Sequence, residues 1–417
     1  MQLNPFTSNT FIAIWTKHFN KSKPPKRFDF ISGIQFFKHS FLPLYINIGK
    51  NLTKGISYKL CEGAHDYKGK TFLIYDVPTY FNIKTTIPTE SSSLRLKKVF
   101  QYQGFLMDIS SYKDQDEYIN AQFSSKNRRE FRSNKRRLEA CFNIKYSFLH
   151  GDIGETQFKA VFNQFNKLLN KRFAGKQVNY HHLSKQKWRY YRELVYTMLL
   201  EKNASLLIIY NEKTPIGVTL NFHSESILFE TITVFDPDYY KFSVGKTSII
   251  KLLEWCFENN YTISDFSKGD FEYKHKWSNL VYDFHYHILY DSKSLISRTT
   301  ATLVSQFYKL KLYLRRKGVN ERYRRLRYFI QGKKHHQVDD TYAHFKLKNL
   351  TNFDELVNEY KAIDYLEDNY KFMPQFVYTF AFANPEPISN IKVYKNKRDN
   401  TIYVISGSTK TQQIIFN

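Results

Sequence analysis

The feature that most restricts the fold is a change of hydrophobic period between residues 158 and 235. Apolar residues first recur at the three- and four-residue spacing of amphipathic helices, over residues 158–173 and 188–199. Runs of strand-forming residues then follow at 205–210, 216–222 and 227–235, with short turns between them. Consecutive strands joined by such turns pair antiparallel. The segment therefore predicts two helices followed by a three-stranded meander.

The chain after the meander continues this regular pattern. The sequence "FSVGKTSIIKLLEW" predicts a helix that begins after a loop, and "TISDFS" predicts a strand beside the meander. A final strand, "DFHYHILY", is predicted at 283–290. Upstream, residues 5–19 predict a helix with Thr7 and Ser8 as candidate caps. Further strand candidates are 44–48 and 56–60, which are spaced like a hairpin, 71–75, and 104–109.

These elements predict an α/β protein of the α+β type, with mixed, mainly antiparallel sheets flanked by helices. A chain of 417 residues is long for a single core, so we expect an N-terminal half at 1–125, a second domain at 126–295 and a C-terminal extension at 296–417. In the extension, residues 352–370 predict an acidic helix. Two short strands, "NIKVYK" and "TIYVIS", are predicted to follow it.

The chain is strongly basic, with a formal net charge of +25. Two segments concentrate the charge: residues 126–137 contain seven cations and one acid, and residues 309–334 contain eleven cations and one acid. Such clusters indicate an acidic partner, which can be a phosphate-bearing cofactor, nucleic acid or anionic lipid. The alternative is a solvated helical face. For residues 296–334 there are also two hypotheses. The segment is either a solvated helical face or an interfacial helix at anionic lipid, with Leu303, Phe307, Leu310 and Leu314 as its apolar side.

Cysteine usage and the N-terminal sequence predict the compartment. Cys61, Cys141 and Cys256 are far apart and odd in number, which favours a reducing environment without a disulfide framework. The first residues lack the basic start and apolar run of a secretory signal. The apolar stretch 30–49 is interrupted by charged residues and a proline, so it does not predict a membrane span. We expect a cytoplasmic protein that can bind the inner membrane face peripherally.

Four segments carry a resemblance to a known family: "NPFTSNTFIAIWTKHF", "SSKNRREFRSNKRRLE", "FDPDYYKFSVGKTSIIKLLEW" and "DFSKGDFEYKHKW". With the order of elements, they make residues 1–295 similar to the GNAT acyltransferase superfamily. The closer resemblance is to the CelD-like acetyltransferases associated with bacterial cellulose biosynthesis, which are related to FemAB-type transferases. The resemblance implies two GNAT-like domains packed in tandem. It also implies an N-acyltransferase that uses acetyl-CoA or another acyl-CoA and no metal.

The loop before the helix is the candidate cofactor site. In GNAT proteins this loop presents backbone N–H groups to the pyrophosphate of coenzyme A, and the helix dipole adds to the attraction. The resemblance assigns this role to Ser243, Val244, Gly245, Lys246 and Thr247. A phosphate-binding loop of the NTPase type is excluded, because its first glycine would be residue 240, which is Tyr. The remaining alternative is a helix N-terminus without a ligand.

The segment "DFSKGDFEYKHKW" is the second candidate constellation. The catalytic candidates in it are Asp265, Asp270, Tyr273 and Lys274, and the substrate-binding candidates are Lys268, Gly269 and Trp277. We expect the two lysines to neutralise a phosphate or a substrate carboxylate and the two aspartates to orient them. Tyr273 is one candidate donor to the leaving thiolate, and Tyr239 and Tyr240 are the others. The alternative is a buried ion pair that stabilises the turn.

Glu230 is the candidate general base for the acceptor amine. It interrupts the apolar strand "ILFETITV", where burial would raise the pKa of its carboxyl group toward neutrality. The alternative is an ion-pair partner for a neighbouring cation. Cys256 lies on an apolar helical face and is therefore predicted to be a core residue. The histidines at 181, 182, 285, 287, 335 and 336 lack the spacing of a metal site.

The basic helix at 126–137 has two functional interpretations. In the first, Arg128, Arg129 and Arg132 attract an acidic or phosphorylated substrate into a groove between the two halves. The acceptor amine would then belong to a sugar, a cell-envelope precursor or an amino lipid. In the second, the enzyme is FemAB-like and takes an aminoacyl group from tRNA, which the basic helix would bind. A third hypothesis is a GNAT-like module without catalysis, attached to an envelope-polymer assembly.

Overall fold

The computed structural model describes residues 4–50, 52–83, 92–173, 183–319 and 344–416. They form a 12-stranded sheet with helices packed on it, and a separate five-stranded sheet near the C-terminus. The fold class predicted from the sequence, a mixed sheet flanked by helices and followed by a C-terminal extension, is confirmed.

The boundaries of the elements are as follows. The large sheet contains β1 (Lys26–Phe28), β2 (Ile31–Lys38), β3 (Leu44–Asn47), β4 (Lys59–Leu60), β5 (Thr71–Pro78), β6 (Leu94–Asp108), β7 (Ile144–Leu149), β8 (Ala204–Asn211), β9 (Thr214–His223), β10 (Ile227–Phe235), β11 (Ile263–Lys268) and β12 (Leu280–Asp291). The small sheet contains β13 (Phe345–Leu350), β14 (Tyr360–Ile363), β15 (Lys392–Asn396), β16 (Ile402–Ser406) and β17 (Thr411–Phe416). The helices are α1 (Asn9–Phe19), α2 (Gln115–Gln122), α3 (Ser125–Cys141), α4 (Glu155–Phe173), α5 (Lys185–Leu200), α6 (Val244–Glu258), α7 (Glu272–Trp277), α8 (Leu295–Arg316) and α9 (Met373–Ala383).

The strand order of the large sheet is β1-β2-β3-β5-β12-β6-β11-β10-β9-β8-β7, and β4 pairs with β2 beside this path. Strands β8, β9 and β10 form the predicted antiparallel meander, and β11 joins it in parallel to β10. Strand β12 lies between β5 and β6 and pairs antiparallel with both. One continuous sheet therefore runs through both halves of the chain. The division at residues 125 and 295 stays a prediction.

The hairpin predicted from residues 44–48 and 56–60 is wrong. Strand β3 pairs with β2 and β5, whereas only two residues of the later run form a strand, and they pair with β2. Strand β6 is also much longer than the predicted 104–109, because β12 supplies a partner from Leu94 to Leu106. Both differences come from pairing between segments that are distant in sequence, which local pattern does not report.

Helices pack on the sheet, and the cores between the helices and the sheet are rich in aromatic residues. Helix α1 begins where predicted, because the Ser8 hydroxyl accepts a hydrogen bond from the amide of Phe11 at 3.1 Å. It packs with α4 and α5 on one core, in which Phe162 and Phe165 are buried, while α2, α3 and α6 enclose a second core on the meander. None of the helices in the described ranges combines the length and the hydropathy that crossing a bilayer requires.

The C-terminal part packs against the second half of the chain through α9. The rings of Tyr378 and Phe382 on this helix contact Phe142 and Phe242 at centroid distances of 5.0 and 5.2 Å. The strands predicted at "NIKVYK" and "TIYVIS" are confirmed as β15 and β16. The acidic helix predicted over 352–370 is wrong: a single helical turn, Phe353–Leu356, is followed by β14, which pairs with β15.

Candidate active site

The candidate site lies where two neighbouring parallel strands separate. Strands β10 and β11 pair only over three residues, the last pair being Phe229 with Asp265. Beyond this pair each strand has an irregularity, after Glu230 in β10 and after Asp265 in β11. The backbone amides and carbonyls on the facing edges then have no strand partner across the gap. Such an opening in a sheet exposes polar groups to a ligand while its walls stay buried.

Glu230 stands at the start of this opening. The side chain is 7% exposed, and its Oε1 accepts a hydrogen bond from the Thr233 hydroxyl at 2.6 Å. Its Oε2 is buried and has no hydrogen-bond partner among the described residues. Burial raises the pKa of the Glu230 carboxyl group, and the cations of Lys274 and Lys54 oppose this rise. A buried carboxylate with a free oxygen is the arrangement that a general base needs.

Other buried polar atoms without partners surround the same opening. A polar atom that is removed from water without a hydrogen bond costs free energy, so a cluster of them in one place calls for an explanation. Among the described residues, such atoms beside the opening are Asn221 Oδ1 on β9 and Ser267 Oγ on β11. Asn221 lies directly opposite Glu230 in the antiparallel pair of β9 and β10. The opening therefore contains hydrogen-bonding capacity that the protein itself does not use.

Lys274 closes the free edge of β11. It lies on α7 and is buried, and its ammonium group donates hydrogen bonds to the carbonyl oxygens of Phe266 at 2.8 Å, Ser267 at 3.3 Å and Lys268 at 2.6 Å. Burial lowers the pKa of Lys274 to about 8, while Glu230 and Asp265 oppose this effect. An ammonium group has three donors, and all three are used. The geometry favours a positioning role for Lys274 over contact with a substrate.

Asp265 is fully buried at the last pair of β10 and β11. The Tyr282 hydroxyl lies 2.8 Å from each of its carboxylate oxygens, the Tyr80 hydroxyl donates to Oδ2 at 2.9 Å, and the Ser267 amide donates to Oδ1 at 2.6 Å. Burial nevertheless raises the pKa of Asp265 to about 6. The backbone of Ser267 has a positive φ of 56°, so the end of the strand turns sharply around the carboxylate.

The N-terminal half contributes a second buried acid, Asp76, which the sequence analysis missed. Its carboxylate accepts hydrogen bonds from the Thr53 hydroxyl at 2.7 Å, from the Gln101 amide at 2.8 Å and from the Tyr102 hydroxyl. The Lys268 ammonium lies 4.0 Å from the Asp76 carboxylate. A sequence signal for Asp76 exists, because it interrupts the apolar strand "TFLIYDVP" as Glu230 interrupts its own strand.

Lys54 was also missed. It interacts electrostatically with Glu230, Asp265, Lys274, Asp76 and Lys268, and these six residues form the charged cluster of the site. Burial, together with the cations of Lys268 and Lys274, lowers the pKa of Lys54 to about 7, while Asp265 and Asp76 oppose this shift. The side chain is partly exposed, and no hydrogen bond or ion pair engages its ammonium group within the described ranges. The sequence offers no pattern that distinguishes this lysine from others. It lies outside any regular element, in the segment between β3 and β4.

Other predicted residues of the "DFSKGDFEYKHKW" segment do not join the cluster. Trp277, expected to bind substrate, is buried in the core and stacks on Phe131 at a centroid distance of 5.4 Å. Asp270 is 84% exposed and pairs with His275 at 2.6 Å. Tyr273 is exposed on α7, where its ring contacts Phe266. Gly269 has a φ of 110°, which makes its role the turn into α7.

The predicted cofactor loop has a compact geometry at the start of α6. Ser243 adopts a left-handed conformation with φ 55°, and its hydroxyl accepts a hydrogen bond from Asn134 at 3.1 Å. A Cβ atom on Gly245 would lie 2.9 Å from the Phe235 ring, so a glycine is required for this close packing. The side chains of Val244 and Thr247 are buried. The amides of Lys246 and Thr247 donate to the Ser243 carbonyl oxygen at 2.8 and 3.2 Å, so the amides of Val244 and Gly245 are the ones left for a ligand.

Two cationic candidates near this loop already have partners. The Lys246 ammonium contacts Glu130 of α3 at 2.6 Å. Arg128 donates hydrogen bonds to the carbonyl oxygens of Asn120 and Phe123 at 3.1 and 2.6 Å, and so fixes the junction of α2 and α3. Arg129 and Arg132 lie on the exposed side of α3.

Two of the histidines noted in the sequence, His285 and His287, lie on β12. His287 is buried, and its Nδ1 lies 2.7 Å from the Tyr58 hydroxyl. Within the described part of the chain, no three His, Cys, Asp or Glu side chains come together as a metal ion would require. The histidines at 181, 182, 335 and 336 lie outside the described residues. Cys256 is buried in the core beside α3, and burial raises the pKa of its thiol above the ordinary range.

Comparison with known proteins identifies the region that contains this site. Residues 125–275 match the family model described as an acetyltransferase (GNAT) domain. No curated protein matches the chain. Solved structures that it resembles include a conserved protein of unknown function from Bacteroides thetaiotaomicron VPI-5482, with 9% identity, a TM-score of 0.44, and coverage of 69% of this chain and 91% of that one.

Two further solved structures have similar scores. The C-terminal domain of a putative lysylphosphatidylglycerol synthetase from Agrobacterium fabrum shares 9% identity, with a TM-score of 0.40 and coverage of 72% and 92%. The structure of FemX shares 12% identity, with a TM-score of 0.40 and coverage of 60% and 83%. Glu230, the cofactor loop, Asp265, Lys268 and Lys274 all fall within the matched residues. Residues 125–275 are therefore similar to GNAT acetyltransferase domains, and this match supports an acyltransferase.

Proposed function

We propose that this protein is an acyl-coenzyme A-dependent N-acyltransferase in which Glu230 removes a proton from the acceptor amine. The observation that carries the proposal is the buried, unpartnered Oε2 of Glu230 at the opening between β10 and β11. Burial raises the pKa of this carboxyl group, which makes its carboxylate a stronger base near neutral pH. Among the described residues, no other carboxylate of the cluster has a buried oxygen without a hydrogen-bond partner.

The reaction is a direct transfer. Glu230 accepts a proton from the acceptor ammonium, and the free amine nitrogen then attacks the thioester carbonyl carbon. The new C–N bond forms, the C–S bond breaks, and the second amine proton neutralises the leaving thiolate. The products are an amide and coenzyme A with a free thiol. No covalent enzyme intermediate is needed, which agrees with the deep burial of Cys256.

The donor would bind with its pyrophosphate at the first turn of α6. This turn starts at Ser243 without a side chain that caps its amides, and Gly245 keeps its surface flat against Phe235. The amides of Val244 and Gly245, together with the positive end of the helix dipole, would attract phosphate. Lys246 and Glu130 flank the same turn as an exposed ion pair, from which the lysine can be recruited by a stronger anion.

The acceptor would approach from the side of Asp76, Lys54 and Lys268. The two acids of this region, Asp76 and Asp265, favour a cationic amine, whereas the two lysines favour an anionic group on the same molecule. This pairing fits an amine that also carries a phosphate or a carboxylate. The candidate classes are amino sugars, cell-envelope precursors and amino lipids.

The test is thiol release from acetyl-CoA by the full chain in the presence of amines from each class. We expect turnover with at least one class, and a loss of about 10²–10⁴-fold in Glu230→Gln with an unchanged fold. The matched control is Asp270→Asn, because this carboxylate is exposed and lies outside the cluster. Turnover in Glu230→Gln at the rate of the parent protein would refute the role of this residue.

A second candidate function is aminoacyl transfer from tRNA. The observation in its favour is the exposed basic side of α3, which carries Arg129 and Arg132 beside the start of α6. Under this alternative, purified protein would retain RNA, and its affinity for tRNA would fall steeply with salt. Calorimetric titration with coenzyme A and with tRNA distinguishes the two, since each alternative predicts one ligand and excludes the other.

A further inference from the structure

Helix α8 turns its large apolar residues toward solvent. Leu303 is 68% exposed, Phe307 60% and Leu310 56%. With Ile296 and Leu314, which are also exposed, they recur every three, four or seven residues and form one stripe along the helix. Leu303, Phe307, Leu310 and Leu314 are the residues expected from the sequence to form the apolar side of this helix. That side is the outer one.

The inner side of α8 is formed mainly by small and polar residues. The buried positions are Ser297, Thr300, Ala301, Val304, Ser305 and Tyr308. Their hydrogen bonds fix the orientation of the helix on the sheet. The Ser297 hydroxyl donates to the carbonyl oxygen of Lys70 at 2.6 Å, and the hydroxyls of Tyr308 and Tyr75 are hydrogen-bonded to each other. Rotation of α8 to bury its apolar stripe would break these bonds and place small polar groups outside.

The charge of α8 selects among the surfaces that could cover the stripe. The helix contains five cations, Arg298, Lys309, Lys311, Arg315 and Arg316, and no acid. A second copy of this chain would bring the same positive surface and a further net charge of +25, which opposes association through this face. An anionic lipid surface complements both properties, because it accepts apolar side chains and attracts cations.

We propose that α8 lies in the surface of an anionic lipid bilayer and docks the protein there. With 22 residues, the helix is about 33 Å long, so the stripe can insert along its whole length parallel to the membrane plane. The long side chains of Lys309, Lys311 and Arg316 reach from the flanks of the helix to lipid headgroups. This inference stands on the orientation of α8 and does not depend on the reaction proposed above.

Docking through α8 also brings one side of the candidate site close to the membrane. Arg315, in the last turn of α8, donates a hydrogen bond to the carbonyl oxygen of Gln101 at 3.0 Å. The side chain of Gln101 in turn holds the carboxylate of Asp76 at 2.8 Å. The helix on the bilayer and the acidic end of the cluster are thus linked through one residue. An acceptor that is itself anchored in the membrane would reach the site from this side.

The test is sedimentation of the full chain with vesicles. One set consists of phosphatidylcholine alone, and the other of equal parts of phosphatidylcholine and phosphatidylglycerol. We expect binding at least about tenfold tighter to the anionic set, and a loss of about tenfold or more in the double variant Leu303→Glu, Phe307→Glu. The matched control is Leu366→Glu, since Leu366 is 63% exposed but lies in the C-terminal part. Circular dichroism melting verifies that each variant keeps its fold.

A charge variant separates the two contributions. Lys309→Ala with Lys311→Ala should reduce binding to anionic vesicles by about fivefold for each removed cation, and binding to neutral vesicles should not change. Equal binding of the double Glu variant and the parent protein overturns the proposal. It is also overturned if neither vesicle binds and the lipid-free protein is a dimer that Leu303→Glu dissociates, because a second copy then covers the stripe. Absence of vesicle binding in a monomer likewise refutes it.

Discussion

The ammonium group of Lys274 donates a hydrogen bond to the carbonyl oxygen of Phe266 at 2.8 Å, across the turn that joins α7 to β11. Strand β10 has already left β11 at this point, so the lysine supplies the hydrogen bonds that a neighbouring strand would have made. These hydrogen bonds fix the sharp turn at the end of β11, on either side of which Asp265 and Lys268 lie. Lys274 therefore positions the end of β11 and does not itself face the substrate.

Replacement of Lys274 by Met should therefore lower stability. Three carbonyl oxygens, two in buried hydrogen bonds and one in a partly buried one, would lose their donor. The free energy of unfolding should fall by about 2–4 kcal/mol. Urea unfolding followed by circular dichroism measures this change. Lys276→Met is the matched control, because Lys276 is exposed on the same helix and its change should stay within about 0.5 kcal/mol. A stable Lys274→Met protein that has lost only turnover would assign the lysine to the reaction itself.

Asp265 should make the stability of the protein depend on pH. Burial raises its pKa from 3.8 to about 6, so the folded state holds the proton more tightly than the unfolded state. The stabilisation from this group is complete below about pH 4 and is lost as the pH rises through about 6. The difference in unfolding free energy between the parent protein and Asp265→Asn should therefore change across this window, by about 3 kcal/mol at most. A difference that does not vary between pH 4 and 7 would contradict the assigned pKa.

Lys54 should lower the pKa of Glu230, the candidate general base. Its cation lowers the pKa of Glu230, which burial has raised. Replacement of Lys54 by Met removes that cation, so the acidic limb of the kcat/KM profile should move to higher pH. Lys59→Met is the control, because this lysine is exposed on β4. If both variants keep the profile of the parent protein, then Lys54 has no electrostatic influence on the reaction.

Gly245 should be required for coenzyme A binding. A methyl group at this position would lie 2.9 Å from the Phe235 ring and would force the ring or the first turn of α6 to move. We expect Gly245→Ala to weaken binding of coenzyme A by about tenfold, equivalent to about 1.4 kcal/mol, in calorimetric titration. Gly154→Ala is the matched control, because a methyl group there meets nothing within 4 Å. Equal affinity in both variants would move the donor site away from this loop.

Sequence periodicity was sufficient for much of the second half of the chain. The spacing of apolar residues predicted α4, α5 and the meander, because these elements bury the faces that their own patterns define. Glu230 could be singled out by the same reasoning, as a carboxylate inside an apolar strand. Asp76 carries an equivalent signal in β5, but its pairing with Lys268 joins the two halves of the chain. No local pattern contains that contact.

Tertiary structure alone decided the roles of individual polar residues. Trp277 and Lys274 belong to one motif, yet Trp277 fills the core while Lys274 binds three carbonyl oxygens, and this depends on how α7 sits against β11. Lys54 could not be recognised at all, because its surroundings come from strands and helices far away in sequence. The chemistry of a charged side chain is set by its neighbours, which sequence spacing does not specify.

Helix α8 illustrates the division most clearly. By itself the sequence determined that the helix has an apolar stripe and a basic character. It did not determine which side faces the sheet, because an amphipathic pattern distinguishes two faces without assigning either to the interior. That choice was made by specific partners, among them the carbonyl oxygen of Lys70 and the hydroxyl of Tyr75. These hydrogen bonds, with the packing of Ala301, Val304 and Tyr308 against the sheet, leave the apolar stripe on the surface.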